Sequence, residues 1–552
     1  MDHRIPIARH SRSRRSRLVR LAATAAATAL VVAACADSGT GSDSGEAGNV
    51  AASKFGELQD GMINIPDAPD TPVEGGKITF ASYSSPSSLD PAQTVAAVTT
   101  GGTELINIYD ALMRYDMATD TVVPQMAESL THDDEYQQWT LTLREGITFS
   151  DGAAFDADAV VASQQRYADH TGAPESAIWN ANVDSVEATD DRTVVYTLTQ
   201  TWPDFDFLLT SGPGMIVAPS AGPVGDGFEP LGAGPFTLAE WQPDNKIRLE
   251  ARDDYWAGRP HLDEVEFAYM PTMAVAKESM FNGDVEMVFL REPEDVNELL
   301  DREMPGYVNM TAAANVGVIN TAPGRPGADP RVRKAIQLAI DPGQLSHRAY
   351  GDESFGHSEI FPEYSRWHTD VTAPEQDMEA ARALVAEAKA DGFDGKIVTN
   401  NAPDQTKREQ ALVLEAQLES AGFDVQTDIM PTISEQVRAV AAEQDYDLSG
   451  WGFGFREADP FPKMYAVLHS DGQQVYGMYT SPEVDELLER FQVATDPAEQ
   501  KEIMGAIQEE LNDDARFVNY GYFAEYVAWQ QNVHGIEGTS NSMVLFADAW
   551  TS

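Results

Sequence analysis

The sequence predicts an α/β protein built as two lobes joined by two chain crossings. Three observations carry that reading. Short strand-like runs dominate from Gly76 to about residue 315; helices alternate with strands after about residue 320; and RFVNYGYFAEYVAW at 516–529 returns to aromatic strand character, so the C-terminal end rejoins the first region.

In the first region the runs are KITFAS, QWTLTL, TVVYTLT, KIRLEA, EVEFAYM and DVEMVF, several of them alternating polar and apolar residues as half-buried strands do. The second region begins where Asp329 and Pro330 offer a helix cap and a first-turn proline, with Val332, Ala335, Ile336 and Ala339 following at helical spacing. The same grammar recurs. Asp404 caps a helix ending before Gly422, which opens the strand-like FDVQTDI. Ser481 and Pro482 start another, with Val484, Leu487, Leu488 and Phe491 on one face. Asp496, Pro497 and Glu499 form a capping box ahead of Ile503, Ile507 and Leu511.

The N-terminus reads as an export signal. HSRSRRSR at 10–17 is basic, and LAATAAATALVVAA at 21–34 is a single apolar run, too short to span a bilayer comfortably. Cys35, the single cysteine of the chain, follows at once and has no internal disulfide partner. Arg14 and Arg15 leave twin-arginine export open beside the general secretory route. ADSGTGSDSGEAGN at 36–49 has almost nothing to bury and reads as the start of a flexible tether reaching to about residue 75.

Charge narrows the partners. The 552 residues carry 37 basic and 89 acidic side chains, a net of −52. The leader over 1–34 holds seven Arg and one Asp, so 30 basic and 88 acidic groups remain beyond it, a net of −58. Such a surface repels nucleic-acid backbones and anionic headgroups. The ten histidines show no i, i+4 spacing after the leader, and GxxxxGK[ST], HExxH and GxSxG are absent, so no metal, no cofactor and no catalytic group is expected.

One stretch departs from ordinary α/β sequence: SGWGFGFREADP at 449–460, in which glycines alternate with aromatic residues. Glycine fills no core volume and loses the most entropy on ordering, so the backbone is expected to be approached closely here.

These residues and several blocks resemble the extracytoplasmic solute-binding proteins of peptide and nickel ABC importers, family 5. SSPSSLDPAQ at 84–93 is similar to the family's first ligand-side loop. VPQMAESLTHDDEYQQWTLTLREGITFSDGAAFDADAVVAS at 123–163, LGAGPFTLAEWQPDNKIRLEARDDYWAG at 231–258, INTAPGRPGADPRVRKAIQLAID at 319–341 and YTSPEVDELLE at 479–489 follow in the family's order. VAAC at 32–35 resembles a lipobox, with Cys35 as the lipidated residue, and an anchor of more than one acyl chain holds stably. The resemblance implies a two-lobe clamp of the periplasmic-binding-protein type (type II, cluster C-like), with mixed β-sheets and an extra subdomain in the first lobe. The expected organisation is a signal peptide over 1–34, a flexible tether over 35–75, a first lobe with an inserted subdomain over 76–315, a second lobe over 316–514, and a return to the first lobe over 515–552.

The resemblance also implies a site. Ser84 and Ser85 belong to the ligand-side loop. Gly450, Trp451 and Gly452 match the strand end that pairs with a ligand backbone, the glycines leaving room for an extended chain and Trp451, Phe453 and Phe455 forming apolar walls. Peptide-binding members place an Asp shortly after the tryptophan to receive a peptide's amino terminus. In this sequence that position falls on Arg456, counted back from Asp459-Pro460, or on Gly454, counted forward. Arg456 facing inward would favour a carboxylate or another anion; facing outward it would pair with Glu457 or Asp459.

The expected function is a lipoprotein anchored at Cys35 outside the bacterial cell membrane. It would capture a peptide-like or other oligomeric solute and deliver it to an ABC permease and its ATPase. Contact with the membrane would be through the lipid alone. A secreted hydrolase on a two-lobe scaffold and a solute sensor of the same fold are the alternatives.

Overall fold

Two long strands organise the molecule. A computed structural model describes Phe55, residues 58–69 and residues 71–552, all within one compact unit. In it Gly306–Ile319 and Phe517–Trp529 run antiparallel, from Gly306 opposite Ala528 to Val318 opposite Phe517. Rich in Val, Tyr and Phe and buried on both faces over most of their length, they occupy the middle of a 12-stranded mixed sheet.

On one flank the order continues through Met287–Leu290, Lys77–Ser82, Glu264–Tyr269, Lys246–Ala251 and Phe236–Gln242. On the other it continues through Leu448–Trp451, Lys396–Asn401 and Asp424–Ile429. The first flank is drawn from residues before 291 and the second from residues 396–451, so the long strands carry the chain from one half to the other and back. Joined by a short connection, an antiparallel pair would make a hairpin; here the whole of the second half intervenes.

A separate antiparallel sheet, in the order Ala127–His132, Gln138–Leu143, Thr193–Leu198, Val183–Asp190, stands on the first half. Its period-two pattern buries Trp139, Leu141 and Leu143 together with Val194, Tyr196 and Leu198. That face does not close on itself. With Trp202 it joins a core containing Phe461, Met464, Leu488 and Phe491 of the second half, and the rings of Trp202 and Phe461 meet edge to face at 5.7 Å.

The expected caps form. Asp329, Asp404, Ser481 and Asp496 accept from the backbone N–H of Arg331, Lys407, Val484 and Ala498, opening Pro330–Ala339, Gln405–Ser420, Pro482–Val493 and Pro497–Asp514. The apolar faces are buried as their spacing requires, Val332, Ala335, Ile336 and Ala339 in one core and Val484, Leu488, Ile503 and Ile507 in another.

One boundary is corrected. The tether does not extend to residue 75: Phe55 is buried against Phe355 with ring centres 4.6 Å apart, and Gly61–Ile63 pairs with Gly306–Val308 at the sheet edge. Phe55, Met62 and Ile63 supply apolar surface that the preceding Gly/Ser/Asp stretch lacks. The leader and Cys35 lie outside the described residues. Among the described residues no helix is long and apolar enough to cross a membrane.

Candidate functional site

The strand Gly306–Ile319 is bulged, and the glycine-aromatic stretch is shaped to that bulge. Ala313 takes φ 46°, and the pairing with Phe517–Trp529 shifts between Thr311 opposite Phe523 and Asn315 opposite Gly521. On the other edge Leu448–Trp451 pairs with Val316–Ile319, and Phe455–Arg456 pairs with Thr311–Ala312. The residues between must pass the bulge: a β-carbon on Gly452 would stand 2.5 Å from the Ala314 carbonyl oxygen, and Gly454 has φ +75°. Gly450 is closed from the side, where a β-carbon would meet Asn401 Oδ1 at 2.7 Å, and its own carbonyl accepts from Gln436 Nε2 at 2.8 Å. The close approach expected from the sequence is therefore made by the chain itself, by backbone at Gly452 and by the Asn401 side chain at Gly450.

The aromatic residues separate into two kinds. Phe453 and Phe455 are core residues, 5% and 0% exposed, packed on Phe517 and Phe361. This corrects their assignment as cavity walls: both rings are packed into the core. Trp451 is half-buried, with its ring edge-on to Tyr476 at 5.4 Å. Ser84 and Ser85 are also engaged locally, Ser84 Oγ donating to the Thr99 carbonyl at 2.7 Å and Ser85 Oγ accepting from Asp244 N–H at 3.2 Å.

Arg456 borders two chambers. The larger, about 390 Å³, draws Asp60, Tyr115 and Asp120 from segments before the first long strand and Tyr364, Arg366 and Glu457 from segments after it. The smaller, about 60 Å³, draws Glu175 and Phe207 from the first half and Asp459 and Lys463 from the second. The guanidinium lies 5.8 Å from the Phe207 ring. Neither Glu457 nor Asp459 pairs with it, and among the described residues it makes no ion pair and no side-chain hydrogen bond.

Arg366, by contrast, is fully engaged. It pairs with Asp120 at 2.8 Å, its backbone N–H donates to Glu457 Oε1 at 2.6 Å, and its guanidinium donates to the Ala458 carbonyl. The acids respond to the enclosure. Burial raises Glu457 above the usual carboxylate range. Asp60 accepts from Met310 N–H at 2.6 Å, yet burial, with Glu457 and Asp120 adding to it, pushes its carboxyl up to about 7. Asp459 is 4% exposed; its Oδ1 accepts from Phe461 N–H and its Oδ2 has no partner, and burial beside Asp204 raises it well above its ordinary value. Burial, reinforced by the charge of Arg456, lowers Lys463 to about 8.

Sequence reading named Arg456 but not Asp60, Tyr115, Asp120, Tyr364, Arg366 or Lys463. Asp60 sits beside the apolar GMI of a stretch read as tether, and Tyr364 and Arg366 sit in FPEYSRW at 361–367, a loop where an aromatic residue and a base coincide; those were the available signals. Among the described residues no cluster of three or more His, Cys, Asp or Glu could hold a metal ion.

Comparison with known proteins follows the same outline. The family described as bacterial extracellular solute-binding proteins, family 5 Middle, matches residues 121–474. A relative named probable di/tripeptide-binding protein 5, of Pseudomonas aeruginosa, is 24% identical over 511 residues, 84% of this chain and 94% of its own. The structure of the oligopeptide-binding protein AppA of Bacillus subtilis with a nonapeptide superposes with a TM-score of 0.74 at 21% identity, over 87% of this chain and 100% of that one. The binding protein AgaA of A. tumefaciens R10 with agropinic acid superposes with a TM-score of 0.73 at 21% identity, over 86% and 99%.

Proposed function

Because the chain belongs to the bacterial extracellular solute-binding proteins of family 5, and so is a substrate-binding component of an ABC importer, we propose that it captures a peptide-like or other oligomeric solute in the chambers beside Arg456. The observation that carries this reading is the composition of the larger chamber: at about 390 Å³ it is the size of a small-ligand site, and its walls come from both halves of the chain. A guest there touches both halves only when they are closed, and so stabilises the closed state by its differential contacts. The two long strands are the pivot, with the halves dividing at about residues 315 and 515.

Relatives named for di/tripeptides and for nickel, and a fold neighbour solved with agropinic acid, bracket the solute classes. The chamber's mix of acids, a free guanidinium and tyrosines fits a polar solute with charged groups. The mature protein is anchored through lipidated Cys35, hands its guest to a permease, and leaves that guest unaltered.

Native mass spectrometry of protein purified gently from its source tests this, paired with thermal melting. The expected result is a co-purified solute whose return to stripped protein raises Tm with no product formed. Turnover of a peptide or glycoside would overturn the reading in favour of a hydrolase.

A further inference from the structure

Resting on that capture reading and deepening it, we infer that the smaller chamber is a carboxylate subsite: Arg456 is the charge partner of an anionic end of the solute, with Lys463 as a second cation. Arg456 and Lys463 both line this chamber, together with Glu175, Phe207 and Asp459.

The first step is charge. A guanidinium does not give up its proton in a protein, so an enclosed one with no counter-ion carries a desolvation cost that only an arriving acceptor offsets. Arg456 is in that position: its near neighbour is the Phe207 ring, and no carboxylate of the described residues pairs with it. Both candidates for the role are otherwise disposed. Glu175 accepts from the Tyr167 hydroxyl. Asp459 spends one oxygen on Phe461 N–H, and burial beside Asp204 favours its neutral form. Lys463 donates to Gln474 Oε1 and also lacks an ion pair. Two cations thus face one small space whose two carboxylates pair with neither of them.

The second step is size. A chamber of about 60 Å³ holds on the order of four waters, room for a carboxylate and little more. The rest of the solute must then lie elsewhere, and Arg456 also borders the larger chamber. The planar fork of arginine matches two carboxylate oxygens, which a lysine cannot reproduce.

The test uses sodium acetate on the full-length protein, with sodium chloride at equal ionic strength and acetamide as the neutral isostere. Acetate is expected to raise Tm by about 1 °C or more near saturation and acetamide not at all. Arg456→Gln is expected to abolish the acetate response. Arg456→Lys, which keeps the charge and guards against misfolding of the Gln variant, is expected to bind acetate at least about threefold more weakly. No acetate-specific rise in the native protein, or an undiminished rise in Arg456→Lys, overturns the subsite.

A second arm separates the subsite from the capture reading. A tripeptide pool is offered with free ends, with acetylated amino termini and with amidated carboxyl termini, and bound species are read by native mass spectrometry. Retention of the first two and loss of the amidated set supports both claims. Retention of all three overturns the subsite and leaves peptide capture standing. Capture of none, with the acetate response intact, supports the subsite and sinks the peptide class.

Discussion

Gln492 donates to Asn182 Oδ1 at 2.8 Å, and its own Oε1 accepts from Gln200 Nε2 at 2.7 Å, so a helix of the second half is hydrogen-bonded to the four-stranded subdomain of the first. Gln492 and Asn182 are each 3% exposed. An unpaired amide buried at such a contact costs about 1–3 kcal/mol. If the halves part when empty, the amides then meet water and the cost disappears from the open state. Gln492→Leu is therefore expected to favour the open form, weakening solute affinity by about fivefold or more and enlarging the radius of gyration of the empty protein in solution scattering. An unchanged radius and affinity would show that this contact does not bear on closure.

A buried acid remote from the chambers fixes the sign of one pH effect. Glu104 is 0% exposed; its Oε1 accepts from the Tyr269 hydroxyl at 2.9 Å, its Oε2 has no partner, and burial pushes it up to about 7 from an ordinary 4.5. Between those values the unfolded chain is ionised and the folded one is not, so stability falls as pH rises across the window and stays low above it. At 1.36 kcal/mol per unit the loss is on the order of 3 kcal/mol. Glu104→Gln, which keeps the acceptor and cannot ionise, should melt higher than the native protein at pH 8 and level with it near pH 4.5. Equal melting of the two at both pH values would contradict the buried neutral acid.

Much of the fold was legible because its signals are local. Asp404 and Ser481 announce helix starts by chemistry that acts within one turn, and the alternation of QWTLTL shows its buried face without reference to any partner. The site was legible only at Arg456. Glycines at 450, 452 and 454 declare that something comes close, but not from which side; the answer, the bulge at Ala313–Ala314, depends on a strand far away in the sequence. Tyr115, Arg366 and Asp60 lie in three separate segments, and only the tertiary arrangement brings them to one chamber.

The two kinds of aromatic residue in the stretch respond differently to truncation. Phe455 is fully buried between Phe361 and Phe453, so Phe455→Ala should cost about 3–5 kcal/mol of stability. Trp451 is half-buried on Tyr476 and lines neither chamber, so Trp451→Ala should lower stability by about 1–2 kcal/mol and leave solute affinity within a factor of about three. This differs from the loss of binding that family resemblance alone implies for Trp451. A tenfold loss of affinity with unchanged Tm would return the indole to the site.

Lys463 supplies the pH dependence of the carboxylate subsite. The groups facing it are Arg456, Glu175 and Asp459, the last with its carboxyl raised by burial; burial and the Arg456 guanidinium together bring Lys463 to about 8. Below that value both cations of the chamber are charged, and above it Arg456 stands alone. Acetate affinity should hold steady from pH 6 to 7 and fall as pH rises through 8 and beyond, by on the order of fivefold. A bound anion favours the protonated amine, so the midpoint of the fall should lie above that of the empty protein. Lys463→Met should bind acetate more weakly at pH 7 and show no fall at all between pH 7 and 10, because arginine does not titrate there. A fall that persists in Lys463→Met would assign the titration to another group and remove Lys463 from the subsite.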